Sequence, residues 1–191
     1  MEKEHGKIKI DARKIVYLAV LTAVALILHL VESWLPPILV FAPGTKVGLA
    51  NAAALFTLIV FGAPAAFFVT VARCLLAALF SGNLFGLVYS LSGGLAALAV
   101  MSLFWYFVYP KISLVSVSIL GAVAHNITQL LVAGLLVGQI KIFYLLPFNI
   151  IASFAAGIVI GLAVHYTIKM MPDKYVQKKI PAEKEKKDNS L

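Results

Sequence analysis

The hydrophobic positions fall into six long blocks, residues 15–35, 47–63, 64–81, 84–108, 113–137 and 143–171, separated by short breaks rich in proline, glycine or charge. About 20 apolar residues cross a bilayer as a helix. The pattern therefore predicts an all-α integral membrane protein, a six-transmembrane-helix bundle forming one compact domain. The second and third blocks abut at Phe61-Gly62-Ala63-Pro64, where glycine and proline punctuate a tight turn.

Polar side chains interrupt the blocks in few places, and threading the blocks through a bilayer gathers these into one layer of the outer half: Asn51, Arg73, Ser90, Ser92, His125, Asn126, Gln129 and Asn149. At about 1.5 Å per residue, Arg73 and Gln129 lie roughly 12 Å below the outer ends of their helices, and His125 roughly 18 Å, near the midplane. His125 and Gln129 are four apart and share a helix face, with Asn126 beside them. Polar groups inside a bilayer are costly and mark functional sites by default; a central arginine alone costs roughly 3 kcal/mol. Arg73 allows two readings. It pairs with Glu32, the one acidic residue near any block, or it faces an outward-opening cavity and awaits a ligand, which the pattern favours. The amides can also simply bond a neighbouring helix, and the two serines their own helix carbonyls.

Between the first two blocks, residues 34–46 carry Pro36, Pro37, Pro43 and Gly44 and end in Lys46, just above Asn51. A stiffened connection over the mouth of a cavity suits a lid, and Lys46 joins the candidate substrate-binding residues. Trp34, Phe41, Phe85, Tyr89, Phe143, Tyr144 and Phe148 fall near the outer face, as an interfacial aromatic belt or as stacking surfaces. Small residues at Ala19 and Ala23, Gly93 and Gly94, Gly121, and Gly157 and Gly161 mark faces where helices approach closely.

Composition narrows the class. Hydrophobic residues make up 62% of the chain and charged ones 13%, about half the charge of a soluble domain, which excludes an ordinary water-soluble domain. The charges are segregated. Lys3, Lys7, Lys9, Arg13 and Lys14 precede the first block or open it, and Lys169, Lys174, Lys178, Lys179, Lys184, Lys186 and Lys187 end or follow the last. The positive-inside rule puts both termini in the cytoplasm, as an even number of spans requires. The expected division is a basic cytoplasmic N-terminus at 1–14, a membrane domain at 15–171 and a lysine-rich cytoplasmic tail at 172–191. The net charge of +8 arises mostly in these flanks, favouring topology and lipid contact over nucleic acid. The first block runs on into Glu32-Ser33-Trp34 without a small-residue cleavage site, and reads as a retained helix in a multi-pass cell-membrane protein. The lone Cys74 lies within an apolar block, where packing is its expected role; no metal site or cofactor is expected.

Four segments together resemble a known family: Tyr17-Leu-Ala19-Val-Leu-Thr-Ala23, Pro43-Gly-Thr-Lys46-Val-Gly-Leu-Ala-Asn51, Ser92-Gly93-Gly94 and Gly121-Ala-Val-Ala-His125-Asn126-Ile-Thr-Gln129. They look like the Gx transporter family, also labelled heptaprenyl diphosphate synthase component I, over about residues 14–171. That family is similar in fold to the substrate-binding S components of energy-coupling factor (ECF) transporters. The resemblance implies six helices, a lid loop after the first, an outward-facing site, and Ala19 and Ala23 as the face presented to a transmembrane coupling subunit that works with an ATPase pair.

The synthase label can be weighed by chemistry. Prenyl-chain elongation uses clustered aspartates to hold divalent metal on a diphosphate, and the chain's aspartates, Asp11, Asp173 and Asp188, lie far apart outside the blocks. No phosphate-binding glycine loop is present either. The expected function is therefore a non-catalytic substrate-capture subunit of an ECF-type importer for a small vitamin-like, isoprenoid- or quinone-related, anionic or acceptor-rich molecule. The rival is a non-catalytic membrane accessory to heptaprenyl diphosphate or quinone biosynthesis.

Overall fold

The computed structural model describes residues 12–34 and 48–171. They form six α-helices: α1 (Ala12–Trp34), α2 (Ala50–Phe61), α3 (Ala63–Ser81), α4 (Leu84–Phe107), α5 (Leu114–Val137) and α6 (Leu146–Lys169), with a short 3-10 helix at Ile140–Leu145 leading into α6. The 34–46 connection beyond Trp34, including Lys46, lies outside the described residues, as do both charged ends, 1–11 and 172–191.

Local chemistry fixes the ends. Asn83 caps α4 by accepting from the Gly86 amide at 2.9 Å, and Ser113 caps α5 by accepting from Ser116 at 3.1 Å. Pro64 and Pro147 stand in the first turns of α3 and α6, where a missing N–H costs nothing. Gly62 ends α2 and begins α3 with φ 88° and ψ 173°, a conformation essentially reserved for glycine.

Five elements are long and apolar enough to cross a membrane: α1, α3, α4, α5 and the Ile140–Lys169 stretch. The second block differs from its expected extent. Its helix has 12 residues, Ala50–Phe61, about 18 Å long, because Gly48 takes a left-handed φ of 77° and Gly62 stops the other end. α2 is apolar around its circumference apart from Asn51 and Thr57, and such a helix is buried; Leu55 and Leu58 are fully enclosed. It packs against α1, α3, α4 and α6. The sixth helix likewise begins later than residue 143, after the 3-10 turn.

The main core joins Leu55, Leu58 and Ile59 of α2 with Ala97, Met101 and Trp105 of α4, Val117 of α5 and Ile160 and Val164 of α6. α5 packs most extensively, on α4 and α6, and small residues make that possible. A Cβ on Gly157 would stand 2.5 Å from the Ile119 Cα, and one on Gly161 2.7 Å from the Val115 Cα, so backbone meets backbone there. α1 is attached more lightly. Its inner stripe, Leu18, Leu21, Thr22 and Ala25, meets Ala53 and Val69, while Ala19 and Ala23 face outward among exposed Val16, Val20 and Ile27.

Candidate functional site

A polar cavity lies where α1, the start of α2, α3, α4 and α5 converge. It is lined by His29, Glu32, Gly48, Ala50, Asn51, Arg73, Ser90, His125 and Gln129, and about 10 Å³ of it is open to the centre of a water molecule, room for about one water. The helix ladder explains the convergence. Glu32 follows His29 by three on the inner stripe of α1, and Gln129 follows His125 by four on α5, so each pair shares one face.

Glycines let the helices close on this point. A Cβ on Gly93 would lie 2.7 Å from Gln129 Cγ and 3.0 Å from His125 Cε1, and one on Gly94 would lie 3.0 Å from Arg73 Nη2. The Ser92-Gly93-Gly94 segment thus brings α4 against the cavity-lining faces of both α3 and α5.

The hydrogen bonding is incomplete. Arg73 Nη2 donates to Asn51 Oδ1 at 3.5 Å, a long bond. The Glu32 carboxylate accepts from the Gly48 amide, tying the end of α1 to the chain entering α2. Arg73 Nε, Asn51 Nδ2, Gln129 Oε1 and Thr70 Oγ1 are buried without a hydrogen-bond partner among the described residues. A buried polar group left unmade costs about 1–3 kcal/mol. Arg73 is 2% exposed and Gln129 2%, so neither recovers that cost from bulk water. The arrangement offers two donors and an acceptor to an incoming molecule. Among the described residues no three of His, Cys, Asp or Glu gather as metal ligands.

Of the residues selected from sequence, Asn51, Arg73, Ser90, His125 and Gln129 meet at this cavity. Three others do not. Asn126 Nδ2 donates to Ser153 Oγ at 2.7 Å, joining α5 to α6, and Ser153 donates in turn to the backbone carbonyl of Asn149 at 2.5 Å, while Asn149 Oδ1 lies outside the cavity lining, buried without a hydrogen-bond partner among the described residues. Ser92 donates to the Tyr89 carbonyl at 3.1 Å and stays on its own helix. Ser90 lines the cavity while bonding back to Leu87 at 3.4 Å. His29, Thr70 and Ser153 escaped the sequence reading, although His29 carries the three-residue spacing to Glu32 that could have found it.

A second space adjoins the first. His29, Leu30, Ser33, Ala77, Ala78, Ser81, Asn83, Gly86, Tyr89 and Ser90 line a cleft between α1, α3 and α4, with about 160 Å³ open to the centre of a water molecule. His29 and Ser90 belong to both walls.

A profile of the family described as heptaprenyl diphosphate synthase component I matches residues 21–167. The chain belongs to that family. The heptaprenyl diphosphate synthase component I match takes in the second half of α1, nearly all of α6, the four helices between them and the whole polar cavity. A solved S component of a bacterial ECF transporter is similar in structure, with a TM-score of 0.63, 23% sequence identity, and coverage of 82% of this chain and 96% of that one. At this identity the likeness is one of fold. No curated protein shows significant sequence similarity to the chain.

Proposed function

We propose that this chain is a membrane-embedded substrate-binding subunit of an ECF-type importer. The observation that carries the reading is Arg73: buried in the bundle, held by one long bond to Asn51, and facing a cavity with unsatisfied groups on three helices. A protein that bears the cost of an intramembrane arginine without completing its hydrogen bonds is built to complete them with a ligand. The ligand is small and acceptor-rich or anionic, of a vitamin-like, isoprenoid- or quinone-related kind. Arg73, Asn51 and Gln129 are its principal contacts, with Ser90 and His125 beside them, and Lys46 is a further candidate.

The exposed apolar exterior, with Leu79, Phe107 and Leu135 each about four-fifths exposed, suits lipid, and basic residues at both ends suit a cytoplasmic location for both termini. Ala19 and Ala23, outward on the lightly attached α1, supply a smooth face for a transmembrane coupling subunit that works with an ATPase pair. The test replaces both alanines with leucine. Ligand retention by the isolated chain should persist, while uptake by cells and copurification of a coupling subunit are lost; normal transport by the double variant would falsify the docking face.

A second reading draws on the family name: a non-catalytic membrane accessory to prenyl diphosphate synthesis. Affinity purification separates the two. An ATPase pair with a membrane coupling protein supports the importer, and a soluble aspartate-rich synthase supports the accessory.

A further inference from the structure

The polar cavity and the side cleft differ in size and chemistry, and the difference constrains the ligand. With room for about one water, the polar cavity cannot enclose a molecule. It can receive one end of one. The neighbouring cleft is over ten times larger on the same measure, meets the cavity at His29 and Ser90, and has small or aliphatic walls at Leu30, Ala77, Ala78 and Gly86. Of its polar members, Ser33, Ser81 and Asn83 belong to the helix ends, His29 and Ser90 to the junction with the cavity, and Tyr89 adds a ring with one hydroxyl.

Building on the substrate-capture reading, we infer that the ligand is a head-and-body molecule. A compact head carrying one negative charge and a hydrogen-bond donor enters past His29 and Ser90 to Arg73, Asn51 and Gln129, and a slender, mainly apolar body lies in the cleft between α1, α3 and α4. The single charge follows from the two formally charged side chains that line the polar cavity among the described residues, the Arg73 guanidinium that attracts an anion and the Glu32 carboxylate of opposite sign. A multiply charged head would have to overcome the Glu32 carboxylate at low dielectric. The donor follows from Gln129 Oε1, a buried acceptor with no donor to it among the described residues. Slenderness follows from Ala77, Ala78 and Gly86, whose small side chains keep the cleft open.

N-Acylglycines have this design: a carboxylate, an adjacent amide N–H and a tail of chosen length. Equilibrium binding of N-octanoylglycine and N-acetylglycine to the full chain in phosphatidylcholine nanodiscs, with empty discs subtracted, tests the inference. The octanoyl compound should bind at least tenfold more tightly than the acetyl one. Ala78→Phe should remove at least tenfold of that affinity, with the milder Ala78→Val in between as a control for folding, and Arg73→Gln should weaken octanoyl binding by a similar factor. Binding that survives either Ala78→Phe or Arg73→Gln places the compound elsewhere and overturns the inference, as does saturation by neither compound. Since the isolated chain is measured, the inference can fail while importer partners still copurify, and can hold where none is found.

Discussion

The two sides of α4 are built by opposite rules. On the α5–α6 side, Gly157 and Gly161 admit the α5 backbone itself, and the polar groups of Asn126 and Ser153 answer one another. On the α1–α3 side the helices leave a cleft and a cavity, and donors and acceptors from α2, α3 and α5 stay unanswered. Polar residues inside a bundle are therefore of two kinds: those that join helices and those that wait. Burial does not separate them, since Asn126 and Asn51 are both 4% exposed. Partnership separates these two, although Asn149 Oδ1 of α6 also lacks a partner among the described residues.

The comparison can be broken most severely at Arg73. Arg73→Ala should lower ligand affinity by 100-fold or more, about 3 kcal/mol, with little change in melting temperature, because one 3.5 Å bond contributes little to folding. Native mass spectrometry of gently extracted protein, scored for a retained small molecule, together with a thermal melt, measures both; a large fall in melting temperature at unchanged retention would make Arg73 a structural residue. Gly157→Ala should do the reverse. Its Cβ meets backbone that cannot step aside, so a thermal melt should report a loss of about 2 kcal/mol, and an unchanged melt would mean the seam has slack. Gly93→Ala sharpens the contrast on the site side. The added methyl crowds Gln129 Cγ at 2.7 Å, and ligand retention should weaken by about tenfold, near 1.4 kcal/mol, with a smaller stability loss than Gly157→Ala. The smallest effect is expected for Ser92→Ala, within about 0.5 kcal/mol in both assays, since that hydroxyl bonds its own helix; a marked affinity loss would restore Ser92 to the site.

The helical bundle and the residues that meet at the polar cavity were legible in the sequence because depth and periodicity are one-dimensional quantities. Arg73 and Gln129 share a depth, with Asn51 above and His125 below them, and the four-residue spacing of His125 and Gln129 on α5 fixes a common face. What one dimension omits is azimuth between helices. Asn126 follows His125 by one residue, a rotation of about 100°, and that turn delivers it to α6 and Ser153. Depth alone grouped it with the cavity. The short α2 was hidden for a related reason. An apolar run looks the same whether it crosses lipid or lies enclosed by other helices, and the backbone angles of Gly48 and Gly62 decide its length.

Gly62 also sets the mechanics of the site from a distance. Asn51 lies 11 residues before it and Arg73 11 residues after it, so the two halves of their hydrogen bond sit at the tips of equal arms, each roughly 16 Å long, joined at one glycine. With arms of that length, a change of about 5° in their angle moves the tips apart by roughly 1.4 Å. A bond that is already 3.5 Å long does not survive such a displacement. The Asn51–Arg73 bond therefore depends on the angle between α2 and α3, which is set at a turn at the far end of both helices.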